Sequence, residues 1–228
     1  MATLAISSYR SAEQINSAMA RVYKNMGLAV LYSMFVSYLI GTTPELVSFF
    51  FTGITKYIVI FSPLLAVIGI SFVLNNNPSK FLAHAMLYGF AMLMGLSFSM
   101  IFAVYQLGSI FTAFMGGAVL FGVLSIYGYF TKQSLEGWGS FLFVGLIAVV
   151  IASIINVFLG SSLFSMVISA IAIIVFLGLT AYDTQKIREM VSVDNDTQII
   201  EVQAALTLYL DFINIFLSLL NLFGDRKQ

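Results

Sequence analysis

The sequence predicts an all-α polytopic membrane protein with seven transmembrane helices. The 228 residues are 60% hydrophobic and 9% charged, where soluble domains run nearer a quarter charged. Several apolar runs approach or exceed the ~20 residues that a helix needs to cross a bilayer. The runs are continuous, whereas a transmembrane β-barrel shows short alternating segments.

Residues 11–24 read as a short amphipathic helix carrying Arg21 and Lys24. The first apolar run, 25–41, ends at Gly41-Thr42-Thr43-Pro44. The second, 56–74, ends at Asn75-Asn76-Asn77-Pro78. The third (82–105) and the fourth (109–130) are rich in Gly and Ser. Small residues let helix backbones approach closely in lipid, so these two segments should carry packed faces. The fifth and sixth runs cover 139–159 and 163–185, and the seventh, 203–223, begins more polar than the others. No internal repeat or interdomain linker interrupts them. The expected organisation is a cytoplasmic tail (1–24), one seven-helix membrane domain (25–224) and a C-terminal tail (225–228). No apolar core precedes Asn25, so the first span should serve as its own uncleaved signal.

Basic residues set the orientation. With the N-terminus cytoplasmic, Arg10, Arg21, Lys24, Lys80, Lys132, Lys186 and Arg188 fall on the inner side. Lys56, Arg226 and Lys227 fall outside. That asymmetry favours N-in, C-out with seven spans. A re-entrant seventh segment, which contains Asp211, would instead return the C-terminus to the cytoplasm. The compact loops fit a bacterial inner membrane, with an endoplasmic reticulum or other organelle membrane as the alternative.

Composition also excludes function classes. The net charge is zero, so no basic field points to nucleic acid. There is no cysteine, which removes disulfides and thiolate metal sites. His84 is the lone histidine and reads as an interfacial residue. The glycines form no GxGxxG or Walker loop. No catalytic residues and no cofactor are expected.

The exceptional residues are two acids, Asp183 in the sixth run and Asp211 in the seventh. An antiparallel hairpin places residues equidistant from its turn at similar depth. The midpoint of the two aspartates is residue 197, beside the polar turn Asp194-Asn195-Asp196-Thr197. Each lies about 12–14 residues from that turn, roughly 18–21 Å along a helix. Spacing therefore matches their depth; it does not say whether their faces meet. An aspartate at mid-membrane costs ~2.5–3.5 kcal/mol on insertion scales. Two carboxylates that meet would repel if both were ionised, so the usual outcome is one shared proton and titration as a coupled pair. They could also serve Ca²⁺, which takes oxygen ligands. Asn214 shares a helical face with Asp211. Tyr182 and Tyr209, each close to one aspartate, are further candidates to support an ion path. The plain alternative is that each aspartate faces a hydrated helix end or bonds a neighbouring Tyr, Thr or Asn. Asp194, Asp196 and Glu201 read first as caps and solvated charge, since the turn lacks an EF-hand pattern.

AYDTQKI (181–187) and LTLYLDFINIFLSLLNLFG (206–224) resemble the sixth- and seventh-helix motifs of the Bax inhibitor-1 family. LYGFAMLMGLSFS (87–99) and TKQSLEGWGSFLFVGL (131–146) fit the same family, and the resemblance covers residues 20–224. It implies seven helices with the last at the centre, surrounded by the other six. It also implies a Ca²⁺ leak path, with calcium as the transported ion, opened when an aspartate pair loses its shared proton. The matching residues are Asp183 and Asp211. The chain departs from the family pattern twice. Relatives commonly carry an aspartate where Ser134 stands, and some carry arginines where Asn75, Asn76 and Asn77 stand.

A second reading is a regulatory membrane protein that binds a membrane protease or a partner in stress and death signalling. A third is an intramembrane aspartyl protease, which also places aspartates on neighbouring helices. Its GxGD motif is replaced by Tyr209-Leu210-Asp211, and no proline follows residue 78 to make a PAL motif.

Overall fold

The computed structural model describes residues 10–74, 76, 78–193 and 197–227. The described chain is all-helical: α1 (Ala12–Gly41), α2 (Pro44–Phe51), α3 (Thr55–Leu74), α4 (Lys80–Val104), α5 (Leu107–Phe130), α6 (Glu136–Leu159), α7 (Ser162–Val193) and α8 (Thr197–Phe223). Six of these are long and apolar enough to cross a membrane, and α1 joined to α2 across a 99° bend gives a seventh.

The amphipathic stretch and the first apolar run, expected as separate elements, form the single helix α1. Ser11 starts it through a capping box with Gln14, which satisfies two otherwise orphaned N–H groups. Ala18, Val22, Met26, Ala29, Val30, Ser33 and Ser37 then make one buried stripe. Their spacing is that of a single helix face, so nothing interrupts the helix at the apolar boundary. Helix α2 was not expected. Pro44 stands at its first turn, where a proline has no N–H bond to lose.

The two ends of the bundle are fixed by the termini. The Arg10 N–H donates to the Ser192 carbonyl at 3.1 Å, beside the α7–α8 turn. At the opposite end the Gln106 N–H donates to the Asp225 carbonyl (2.9 Å) and the Lys227 N–H to the Val104 carbonyl (2.8 Å). Helix α8 is continuous between those ends, so it runs the length of the bundle rather than turning back.

Helix α8 is also the best-buried span: 56% of its apolar window is buried, against 11% for α6 and 17% for α3. It packs chiefly on α7, α5 and α1, then on α4, and touches α3 marginally, while α6 is held through α7. Large apolar side chains such as Leu65, Phe111 and Phe158 point outward, as lipid contact permits. The turn residues Asp194, Asn195 and Asp196, and Asn75 and Asn77, lie outside the described residues. So do residues 1–9 of the N-terminal tail.

Candidate functional site

Helix α7 carries Asp183, and its rotation is fixed by the turn around it. Gly128 of α5 lies against the Ala181 backbone, where a Cβ would overlap the Ala181 carbonyl. One turn along α7 the Thr184 hydroxyl, fully buried, pairs with Ser125 of α5 at 3.0 Å. Ser125 in turn pairs with the Tyr23 hydroxyl of α1 at 3.0 Å. With residues 181 and 184 turned onto α5, Asp183 is directed toward the cavity it shares with α8. On α8, residues 204–206, 208 and 209 are buried among apolar neighbours, and Asp211 follows them at 4% exposure.

The two aspartates meet. Their carboxyl groups lie within side-chain hydrogen-bonding reach of each other across the α7–α8 interface. Asp211 Oδ2 is buried without a hydrogen-bond donor among the described residues. Carboxylates only accept hydrogen bonds, so a bond between them requires a proton on one of the two. This is the chemistry that distinguishes the pair from an ordinary buried carboxylate, which would be answered by a backbone N–H or a cation.

Both acids line a cavity of about 680 Å³ bounded by α3, α6, α7 and α8. Asn214 and Tyr182 line it too. Asn214 donates its amide to the Leu210 carbonyl at 2.8 Å, which leaves its carbonyl oxygen as an acceptor. Tyr182 packs against Gly139 of α6, where a Cβ would come within 2.7 Å of the ring. Tyr209 is placed elsewhere. It is fully buried, its ring packs edge-on to Phe90 of α4 at 5.8 Å, and it does not line the acid cavity. Its hydroxyl is directed toward Ser33, which donates to the Val30 carbonyl (2.9 Å), and finds no well-aligned partner. Residues two apart on a helix face nearly opposite sides, so Tyr209 and Asp211 cannot share one cavity.

Two charged contacts were not foreseen. Lys186 lies one turn beyond Asp183, lines the same cavity and acts on Asp183 electrostatically. Its ammonium also sits 5.7 Å from the Tyr182 ring centroid. The i, i+3 spacing from Asp183 was the signal for it. It is the cation beside the pair, whereas Asn76 donates to its own helix at the Phe72 carbonyl (2.8 Å). Glu201, expected as solvated charge, is instead 3% exposed. Arg21 holds it through Nε (3.0 and 2.9 Å) and Nη2 (2.7 Å). No local pattern links residues 180 positions apart. Ser134, which replaces the family aspartate, accepts from the Glu136 N–H at 3.3 Å at the start of α6. His84 bonds locally to the Lys80 carbonyl at 2.9 Å.

Among the described residues no cluster of three or more His, Asp or Glu could hold a metal. Two carboxylates and an asparagine carbonyl fall short of the six to eight oxygens of a resident Ca²⁺ site.

The family model "Inhibitor of apoptosis-promoting Bax1" matches residues 15–228. The chain belongs to the Bax inhibitor-1 family. Among similar bacterial members, "Inner membrane protein YbhL" of Escherichia coli K12 is 37% identical over 218 residues, covering 93% of each chain. An uncharacterised Rickettsia prowazekii protein is 37% identical over 95% of this chain and 92% of its own. One from Deinococcus radiodurans is 34% identical over 99% and 98%. The similarity is therefore end to end, and this Bax inhibitor-1 family member is a polytopic membrane protein.

Proposed function

We propose that this protein is a pH-sensitive calcium leak channel whose gate is the Asp183–Asp211 pair. The observation that carries the reading is the meeting of two acids where α7 packs on the best-buried helix, with a cavity beside them and, among the described residues, no donor for Asp211 Oδ2 except a proton. Ionisable groups in membrane spans that face a cavity mark ion or proton pathways by default. A shared proton neutralises one acid and holds α7 to α8. Its loss leaves two repelling carboxylates facing the cavity, which favours separation of the helices and attracts a divalent cation. Flux should therefore be low at acid pH and rise with pH. The aspartates act as sensor and as transient ligands, Asn214 as a neutral oxygen on the path, and Tyr182 as the wall toward α6. The surroundings follow from the same reading: an inner membrane, as YbhL is described, with the N-terminus and the α7–α8 turn in the cytoplasm.

The test is Ca²⁺ flux in proteoliposomes across a pH series, with Asp183→Asn and Asp211→Asn beside the unaltered protein. The proposal expects flux that rises with pH in the unaltered protein and loses that dependence in both variants. Identical flux and pH dependence in all three would overturn it.

A further inference from the structure

A second cavity, of about 340 Å³, lies between α6, α7 and α8, toward the end of the bundle where α8 stops. Its polar lining includes Ser153, Asn156, Ser169, Asn214, Ser218 and Asn221, and no lining residue is charged. Polar side chains within a span face the protein interior or a water-filled cavity rather than lipid. Ser169 and Ser218 are more than nine-tenths buried.

Three side chains of this lining donate to protein oxygens. Ser153 gives its hydroxyl hydrogen to the Val149 carbonyl at 2.8 Å. Asn214 gives its amide to the Leu210 carbonyl. Asn221 gives its amide to the hydroxyls of Ser165 and Ser169, both at 2.7 Å, and to the Ser165 carbonyl at 3.3 Å. These three side chains are turned onto neighbouring protein oxygens, while the Ser165 and Ser169 hydroxyls accept from Asn221 and keep their own hydrogens to give. Asn156 Oδ1 is buried with no hydrogen-bond partner among the described residues. A buried acceptor without a donor is costly unless something positive or hydrated meets it. A neutral lining of serine hydroxyls and an unanswered amide oxygen can solvate a cation and its waters, and its continuity with the acid pair favours a cation over an anion.

The two cavities adjoin. Asn214 and Phe176 line both, so a single asparagine and one aromatic ring stand between the acid pair and the neutral chamber.

We propose that this neutral, oxygen-bearing chamber is a second cation station, in series with the aspartate pair, where a divalent cation rests with most of its water on Asn and Ser oxygens. Asn214 and Phe176 form the threshold between the stations. The inference rests on the reading of the acid pair as a gate on a calcium path. Its physical sense is that conduction needs binding favourable enough to enter and weak enough to leave. Carboxylates alone would hold a divalent ion; a neutral station beyond them lets it go.

The natural chain has no cysteine, so Ser218→Cys gives one thiol in the chamber, and Ile171→Cys gives one on the exposed face of α7 as a control. The full-length protein in proteoliposomes is treated with a cationic, water-soluble thiosulfonate, with and without Ca²⁺. The expected result is rapid modification at Ser218→Cys, slowed by Ca²⁺, and loss of flux once modified. Ile171→Cys should react slowly and keep its flux. Asn156→Leu, which breaks no hydrogen bond at Oδ1, should lower flux several-fold and leave its pH midpoint in place. Equal, Ca²⁺-insensitive reaction at both cysteines would overturn the proposal. So would unaltered flux in both Asn156→Leu and modified Ser218→Cys, even if flux in the natural protein still follows the acid pair. Should the natural protein pass no Ca²⁺, the gate reading falls, and Ca²⁺ protection of Ser218→Cys still decides whether the chamber binds the ion.

Discussion

Helix α8 buries two carboxylates, and they are answered in opposite ways. Glu201, 3% exposed, meets a guanidinium from α1; Asp211, 4% exposed, meets another acid from α7. The first arrangement is closed. Arg21 presents two nitrogens to one carboxylate, a fork geometry that adds specificity as well as energy, and its charge persists at every physiological pH. The second can be complete only while a proton is shared. On the proposed reading, the same helix carries a permanent clamp at its start and a proton-dependent one at its middle. Burial alone does not mark a functional acid; the nature of its partner does.

The largest effect expected is at the second clamp. Asp183→Asn or Asp211→Asn should flatten the pH dependence of Ca²⁺ flux, because an amide supplies a donor that no pH change removes. If only one of the two flattened it, the acids would not act as a pair.

The clamp at Glu201 should respond in stability instead. Arg21→Ala leaves a buried carboxylate unanswered and should cost about 3 kcal/mol, the low end for breaking a buried pair since Arg21 is half exposed. Denaturation of the detergent-solubilised protein would show it as a lower midpoint, with Arg21→Lys recovering part. The pH midpoint of flux should stay where it is. A shift there would mean that the two clamps are coupled.

Lys186 sharpens the contrast on a smaller scale. Its charge favours the ionised form of the neighbouring acids. Lys186→Gln should therefore make the pair keep its proton to higher pH and displace the flux midpoint upward by a fraction of a pH unit. The midpoint, read from proteoliposome flux, would move downward or not at all if Lys186 served only to pack against Tyr182.

The smallest effect is expected at Tyr209. Its hydroxyl makes no well-aligned hydrogen bond, so Tyr209→Phe should leave stability unchanged or raise it by up to about 1 kcal/mol and leave flux untouched. Reduced flux would return Tyr209 to the ion path.

The sequence made the helices and the depth of the acids legible for simple reasons. Continuous apolar runs have one stable form in lipid, and residues equidistant from a hairpin turn lie level. Rotation was not legible. Whether Asp183 faces Asp211 depends on how α7 is turned, and that is set by Gly128 against Ala181 and Ser125 against Thr184, contacts with α5. Glu201 was misjudged for the same kind of reason. It lies next to a polar turn in sequence, but α1 continues past the apolar boundary and brings Arg21 alongside. The end of the first run at Gly41 was legible, but the short helix α2 was missed, because Pro44 reads equally well as a loop residue and as a helix start.

The most direct measurement of the central claim follows the proton itself. Infrared difference spectroscopy of the reconstituted protein, across the pH range in which flux changes, should show a protonated carboxyl signal that disappears as flux rises. Because the proton belongs to the pair, that signal should be altered in Asp183→Asn and in Asp211→Asn alike and be absent when both are replaced. A carboxyl signal that stays constant while flux changes, or that survives in the doubly substituted protein, would contradict the account.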